Sequence, residues 1–226
     1  MTLNLPRPIL YLITRGATTE ATTADSEEFR EIVLQASAAV TAGIRLIQIR
    51  EKQLPARVLF ELACAVVDTV RGSSTKVLIN DRADIAASAG ADGVHLTTTS
   101  LTPDVIRKTF GARFLIGAST HSLAEARDGF RQGADFAVFG PIFYSPSKAS
   151  YGPPLGVERL KDAARELGPF PLIALGGISP ERVNECLRAG AAGVAGITLF
   201  GKPKYLPTTV EKIRNPGKVD RGRTAL

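Results

Sequence analysis

No apolar run in the 226 residues approaches the roughly 18 to 20 needed to cross a bilayer, which excludes a membrane-spanning helix. The opening stretch, MTLNLPRPIL, lacks a basic segment followed by an apolar one, so no secretory leader is expected. Cysteine is scarce. Cys64 and Cys186, the only two, sit in the helical patterns ELACAVV and VNECLRAG. Two distant cysteines make no disulfide framework, and they read as small buried apolar residues of a protein in a reducing cytoplasm. Blocks of like charge are also lacking. The net charge is +6, and Lys218, Arg221 and Arg223 against Asp220 place part of it in the tail 215–226. Without a basic block or interleaved aromatic and basic residues, nucleic acid is not an expected partner. The mild positive balance suits a small anionic substrate. One further shortage concerns carboxylates. Residues 93–100 read GVHLTTTS, an apolar run that ends in four hydroxyls. Hydroxyls at a strand end can hold an anion but are poor ligands for a hard divalent cation. Upstream, INDR (79–82) brings one carboxylate, Asp81, to a similar strand end.

What is present is alternation. Eight short apolar runs recur: 9–14, 45–50, 76–80, 93–96, 114–119, 135–140, 171–177 and 192–198. They show little period-two patterning, as expected of parallel strands buried on both faces. Longer amphipathic stretches separate them, among them 26–43, 55–72, 122–133 and 179–190. Ser26, Ser122 and Ser179 stand at N-cap positions, the last followed by Pro180. Gly43, Gly90, Gly133 and Gly190 stand where helices end. A recurring join, AGADGV, QGADFA and AGAAGV, leads from helix end to strand start. The pattern predicts a single (β/α)8 barrel of the TIM type spanning 1–226, ordered from about 9 to 214, with a loose basic tail. A doubly wound open sheet is the alternative.

In such a barrel the chemistry lies at the C-terminal strand ends. The second run ends in Gln48, Arg50 and Lys52, the third in Asn80 and Asp81, the fifth in Ser119 and His121. The sixth opens into a loop with Ser145, Ser147 and Lys148; the seventh ends in Gly176 and Gly177, the eighth in Ile197 and Thr198. Arg50, Lys52 and Lys148 suggest a polyanion pocket, and Asp81 among them suggests a divalent metal on that anion. Plainer roles compete. Asp81 could cap the helix at 82–89, and Gly176-Gly177 could be a tight turn. His95 reads as a packed barrel residue. Glu51, Asp84 and Asp104 read as solvated or helix-start charges.

At these residues the chain resembles the thiamin phosphate synthase family and the related thiazole tautomerases over about residues 9–200. The carriers are QIREK (48–52), INDRADIA (79–86), GADGVHL (90–96), STHS (119–122), GPIF followed by SK (140–148) and ALGGIS (174–179). The resemblance implies a reaction between two small molecules, hydroxymethylpyrimidine diphosphate and thiazole phosphate, giving thiamin phosphate and pyrophosphate with Mg²⁺. It implies Arg50, Lys52 and Lys148 on the leaving diphosphate, with Asn80 beside them and Asp81 as a metal ligand. Gln48 would meet the pyrimidine and Ser119 the reacting centre. Ser145 and Ser147 would stand in the lysine loop, and Gly177, Ile197 and Thr198 would hold the thiazole phosphate. Synthases typically continue GVHL into Gly-Gln-x-Asp, whose aspartate is a second metal ligand; here Ser100 holds that position. Asp104 is a candidate substitute. The tautomerases also lack that aspartate, and His121 matches their proton-shuttling histidine, so an isomerase is an alternative. A non-catalytic barrel that binds thiamin precursors is a third, and a homo-oligomer is left open.

Overall fold

The computed structural model describes residues 5–144 and 153–215. Ser145, Ser147, Lys148 and the tail from 216 lie outside the described residues. Eight strands close into an all-parallel barrel in chain order: β1 (Ile9–Ile13), β2 (Leu46–Ile49), β3 (Lys76–Asn80), β4 (Gly93–Leu96), β5 (Leu115–Thr120), β6 (Phe136–Phe139), β7 (Leu172–Ala174) and β8 (Gly193–Gly196). Each is followed by a helix: α1 (Glu27–Ala42), α2 (Ala56–Val70), α3 (Ala83–Ser88), α4 (Pro103–Phe110), α5 (Leu123–Arg131), α6 (Gly156–Leu167), α7 (Val183–Arg188) and α8 (Leu206–Arg214). The expected (β/α)8 barrel is therefore the fold, and the open sheet is not. No described helix is long and apolar enough to cross a membrane.

The two-residue strand period divides each strand between two environments. Ile9, Tyr11 and Ile13 point into the bore with Leu46, Leu78, Phe136, Val138, Ile173 and Ala195. Their neighbours Leu10, Leu12, Ile47, Ile49, Val77, Ile79 and Val94 face the helices. The helices answer with apolar stripes. In α2, Leu59, Leu62, Ala63, Val66 and Val70 recur at helical spacing and are buried. Burying one such Leu or Val stabilises by about 1.5–3 kcal/mol, so this face alone anchors the helix. Cys186 is fully buried, and burial pushes its thiol up to about 11, as expected of an inert apolar residue.

Helix ends follow the expected chemistry. Gly43, Gly90, Gly133 and Gly190 all take left-handed φ, between 71° and 96°. Ser26, Ser122 and Ser179 occupy N-cap positions, but only the Ser122 hydroxyl accepts a backbone N–H, that of Glu125.

Two of the three recurring joins, AGADGV and QGADFA, carry an aspartate with a shared purpose. Asp92 accepts the Val77 N–H at 2.9 Å and Asp135 accepts the Ile116 N–H at 2.8 Å. Each carboxylate thus ties its join to the start of the neighbouring strand, at the end of the barrel away from the C-terminal mouth. Asp92 pairs with half-exposed Lys76 at 2.8 Å. Asp135, 2 % exposed, pairs with Arg107 at 2.8 Å, and that guanidinium also donates to the Phe114 and Gly133 carbonyls. Breaking a buried pair leaves a desolvated charge, whereas a half-exposed pair contributes little. Asp135→Ala should therefore lower unfolding free energy by about 3 kcal/mol. Asp92→Ala should lower it by about 1 kcal/mol. Urea denaturation checks this, and equal losses at the two joins would contradict it.

Candidate functional site

The strand register brings the chemistry to one mouth. Gln48 is one residue from the end of β2, beside Leu78 of β3. Asn80, the last residue of β3, lies opposite His95 of β4, and His95 lies opposite Gly117 of β5. Arg50 and Lys52 follow β2, Asp81 follows β3, Ser119 ends the inward face of β5, and His121 follows it. Gly177 follows β7, and Ile197 and Thr198 follow β8. All described candidates thus lie at C-terminal strand ends.

Within the bore a polar chain runs between two of them. The Gln48 amide Nε2 donates to the Tyr11 hydroxyl at 2.9 Å. That hydroxyl lies 3.2 Å from His95 Nδ1, and His95 Nε2 lies 2.9 Å from Ser119 Oγ. Tyr11, Gln48 and His95 are 0 %, 1 % and 2 % exposed. Burial raises the Tyr11 phenol well above its ordinary range despite the opposing Gln48 bond, so its proton stays on. His95 also packs against Phe136 and Tyr11, with ring centroids 6.1 and 5.8 Å away. The packed barrel residue expected from the sequence is thus also a hydrogen-bonded link to Ser119. Tyr11 was not legible as part of the site. Its only signal was a phenol on the bore side of β1, where a buried hydroxyl needs a partner.

Glu51 corrects the expectation of a solvated charge. It is 3 % exposed and accepts the Gly16 N–H at 3.0 Å, the Thr18 N–H at 3.2 Å and the Thr18 hydroxyl at 2.8 Å. It braces the loop after β1, because a buried carboxylate demands several donors. Gly16 has φ 70°, and a Cβ there would meet Arg50 O at 3.2 Å and Arg50 Nη1 at 3.4 Å. The guanidinium therefore lies along a loop that Glu51 holds. Lys52 is exposed.

Asp81 does not cap α3; the N-cap is Arg82, whose guanidinium pairs with Asp84. Asp81 has φ 64°, the one non-glycine residue with positive φ among those described. That conformation costs on the order of 1–3 kcal/mol and is typical of functional turns. Its N–H bonds the His95 carbonyl at 2.9 Å, and its side chain is left exposed. Ser100 Oγ accepts the Thr97 N–H at 2.7 Å and lies 3.0 Å from Thr97 Oγ1, so it closes its own turn. Asp104 is exposed; bonds from Thr102 and the Val105 N–H hold its carboxyl below the usual range, as suits a helix-start residue. Among the described residues no group of three or more His, Cys, Asp or Glu could hold a metal. Asp81, with its exposed carboxylate, could hold a hard cation whose other ligands are phosphate oxygens and water.

The remaining candidates are spread around the rim. His121 Nδ1 donates to the Gly140 carbonyl at 2.5 Å, and its backbone N–H donates to Glu125 at 2.8 Å. Gly176 and Gly177 take φ 102° and 61°, and a Cβ on Gly177 would meet Tyr144 O at 2.4 Å. Only glycine allows that turn to lie against the loop after β6. Ile197 is half-buried and Thr198 exposed. A cleft of about 310 Å³ reaches from Thr97, Thr98 and Ser100 to Ser119 and Thr120. Another, about 440 Å³, lies between α1 and the loop after β8; of the strand-end candidates' neighbours it touches only Glu51.

The room for His95 comes from Gly117. A Cβ there would meet Phe136 Cζ at 2.4 Å and His95 Nδ1 at 2.7 Å. Gly117→Ala should destabilise by about 1–3 kcal/mol through overpacking. It should also shift the His95 ring resonances; chemical denaturation and histidine NMR check the two effects, and unmoved resonances would contradict the geometry.

Residues 10–200 match the thiamine monophosphate synthase family. A thiamine-phosphate synthase of Anaeromyxobacter dehalogenans is 40% identical over 195 residues, covering 85% of this chain and 87% of its own. One from Chlorobium luteolum is 41% identical over 187 residues, covering 81% and 88%. Among solved structures, a thiamine phosphate pyrophosphorylase from Pyrococcus furiosus superposes with TM-score 0.76 at 27% identity, covering 92% of this chain and 94% of that one.

Proposed function

The chain belongs to the thiamine monophosphate synthase family, and we propose that it joins hydroxymethylpyrimidine diphosphate to thiazole phosphate, releasing pyrophosphate. The observation that carries the reading is the meeting of Gln48, Arg50, Asn80, Asp81 and Ser119 at one end of a closed barrel. The names of the relatives favour joining over isomerisation at His121 or over a non-catalytic binding role.

The demanding step is departure of a highly charged group. The bond from the pyrimidine methylene carbon to the diphosphate oxygen breaks, both electrons leave with oxygen, and a pyrimidine methyl cation remains. The thiazole nitrogen lone pair then forms the new carbon–nitrogen bond. Arg50, Lys52 and Lys148 neutralise the charge that builds on the diphosphate, and Asn80 orients it. Lys148, with Ser145 and Ser147, enters from the resemblance alone. Asp81 would hold Mg²⁺, which would supply further neutralisation of that charge. Ser119 stands at the reacting centre. The glycine turn at Gly177, with Ile197 and Thr198, holds the thiazole phosphate, the usual place for phosphate in such barrels. Two free cysteines suit a reducing cytoplasm.

Incubation with both precursors and Mg²⁺ should yield thiamin phosphate; no product at high protein concentration would sink the reading. Arg50→Ala should lower turnover about 10²- to 10³-fold, the scale of losing one charge-stabilising donor. Ser100→Asp should keep the Thr97 turn with one carboxylate oxygen and offer the other to the cation. Calorimetric titration with pyrophosphate present should show Mg²⁺ bound at least roughly tenfold more tightly by that variant. Tight Mg²⁺ binding by the unaltered protein alone would contradict the single-carboxylate site.

A further inference from the structure

The four residues Gln48, Tyr11, His95 and Ser119 come from β2, β1, β4 and β5 and are joined by three hydrogen bonds across the bore. The number of protons on that path limits its behaviour. A phenol has one, and a neutral imidazole carries one on either nitrogen. When the Gln48 N–H donates to Tyr11, the phenol proton goes to His95 Nδ1. The ring proton then sits on Nε2 and is donated to Ser119 Oγ. The serine keeps its own proton for a ligand. In the opposite order the amide is turned, and its oxygen accepts the phenol proton. The ring proton moves to Nδ1, and Ser119 must donate to Nε2. It then offers a ligand only lone pairs. Mixed orders either leave the phenol proton with no acceptor between two donors or make two acceptors compete for that one proton. Tyr11 is closed off from water, so such a mismatch is not relieved by solvent.

We propose that this path is a directional relay, in which an amine donor bound at Gln48 commits the Ser119 hydroxyl proton to the diphosphate anion. The inference rests on the reaction assigned above and names how one substrate meets both ends of the path. A pyrimidine that carries an exocyclic amine gives its N–H to the Gln48 oxygen. That holds the amide nitrogen on Tyr11, where the structure places it. An anion accepts hydrogen bonds only, so it needs the same order at Ser119. Amine and anion therefore favour one arrangement together, although they bind at opposite ends. An oxo-pyrimidine diphosphate asks for the amide N–H and sets the ends against each other. Tyr11 and His95 are positioning residues that act through Ser119. The phenol suits its place, because burial keeps it protonated.

The test reads the ring directly. The chain has only two histidines, so ¹⁵N-histidine labelling gives two ring systems, and His95→Gln assigns them. With Mg²⁺ and hydroxymethylpyrimidine diphosphate, His95 should show the Nε2–H form. Gln48→Glu presents oxygens alone to Tyr11 and should convert His95 to the Nδ1–H form, with turnover falling to that of Ser119→Ala. Tyr11→Phe keeps the ring volume and should give a mixture of tautomers. Its turnover should fall on the order of tenfold while KM for thiazole phosphate holds, a scale typical of a lost supporting contact. An Nδ1–H ring in the unaltered complex would overturn the relay. So would an unchanged ring in Gln48→Glu, or full turnover in Tyr11→Phe. Failure of the unaltered protein to form thiamin phosphate would instead overturn the assigned reaction, since the ring form is read without turnover.

Discussion

Closure of the parallel sheet is the constraint on which the rest of the molecule depends. Once β8 pairs with β1, no strand edge is left, and every inward side chain must find its place in a bore shielded from bulk solvent. Apolar residues do so by packing. A polar residue there can be kept only if another polar residue meets it, because an unpaired buried group is expensive. Tyr11, Gln48 and His95 satisfy one another, and Ser119 continues their path to the mouth. The absence of a side chain on Gly117 gives the imidazole its space.

The two ends of the barrel divide the work. At the N-terminal end, carboxylates serve the fold: Asp92 and Asp135 each accept a strand-starting N–H and each pair with a cation. At the C-terminal end lie the candidate functional groups Gln48, Arg50, Lys52, Asn80, Asp81 and Ser119. Glu51 also lies at the mouth but acts as scaffold for the loop against which Arg50 rests. Asp81 is the opposite case. Its backbone is held in a left-handed turn while its carboxylate stays exposed. A conformation kept against its own cost is consistent with a residue held ready for a cation.

Much of this was legible in the residues. The eight apolar runs became the eight strands with ends shifted by only a few residues, and the four helix-closing glycines take left-handed φ. The rule that chemistry gathers at C-terminal strand ends located Gln48, Arg50, Asn80, Asp81, Ser119 and His121 together. Glu51 was misread because a glutamate between two cations looks solvated in one dimension. Its three donors belong to Gly16 and Thr18, more than thirty residues away. Tyr11 was passed over for a similar reason: its partners lie 37 and 84 residues along the chain.

By itself, then, the sequence determined the alternation of strand and helix, the polarity of the barrel and the identity of the groups at its mouth. Those follow from local propensity, period and punctuation, which act over a few residues. Only the tertiary structure decided that Ser100 closes its own turn, that Asp81 does not cap its helix, and that His95 links Tyr11 to Ser119. Each of these outcomes is a choice among hydrogen-bond partners. For His95, inside the bore, the choice is made by which donors and acceptors end up within about 3 Å of one another once closure has shut out bulk solvent.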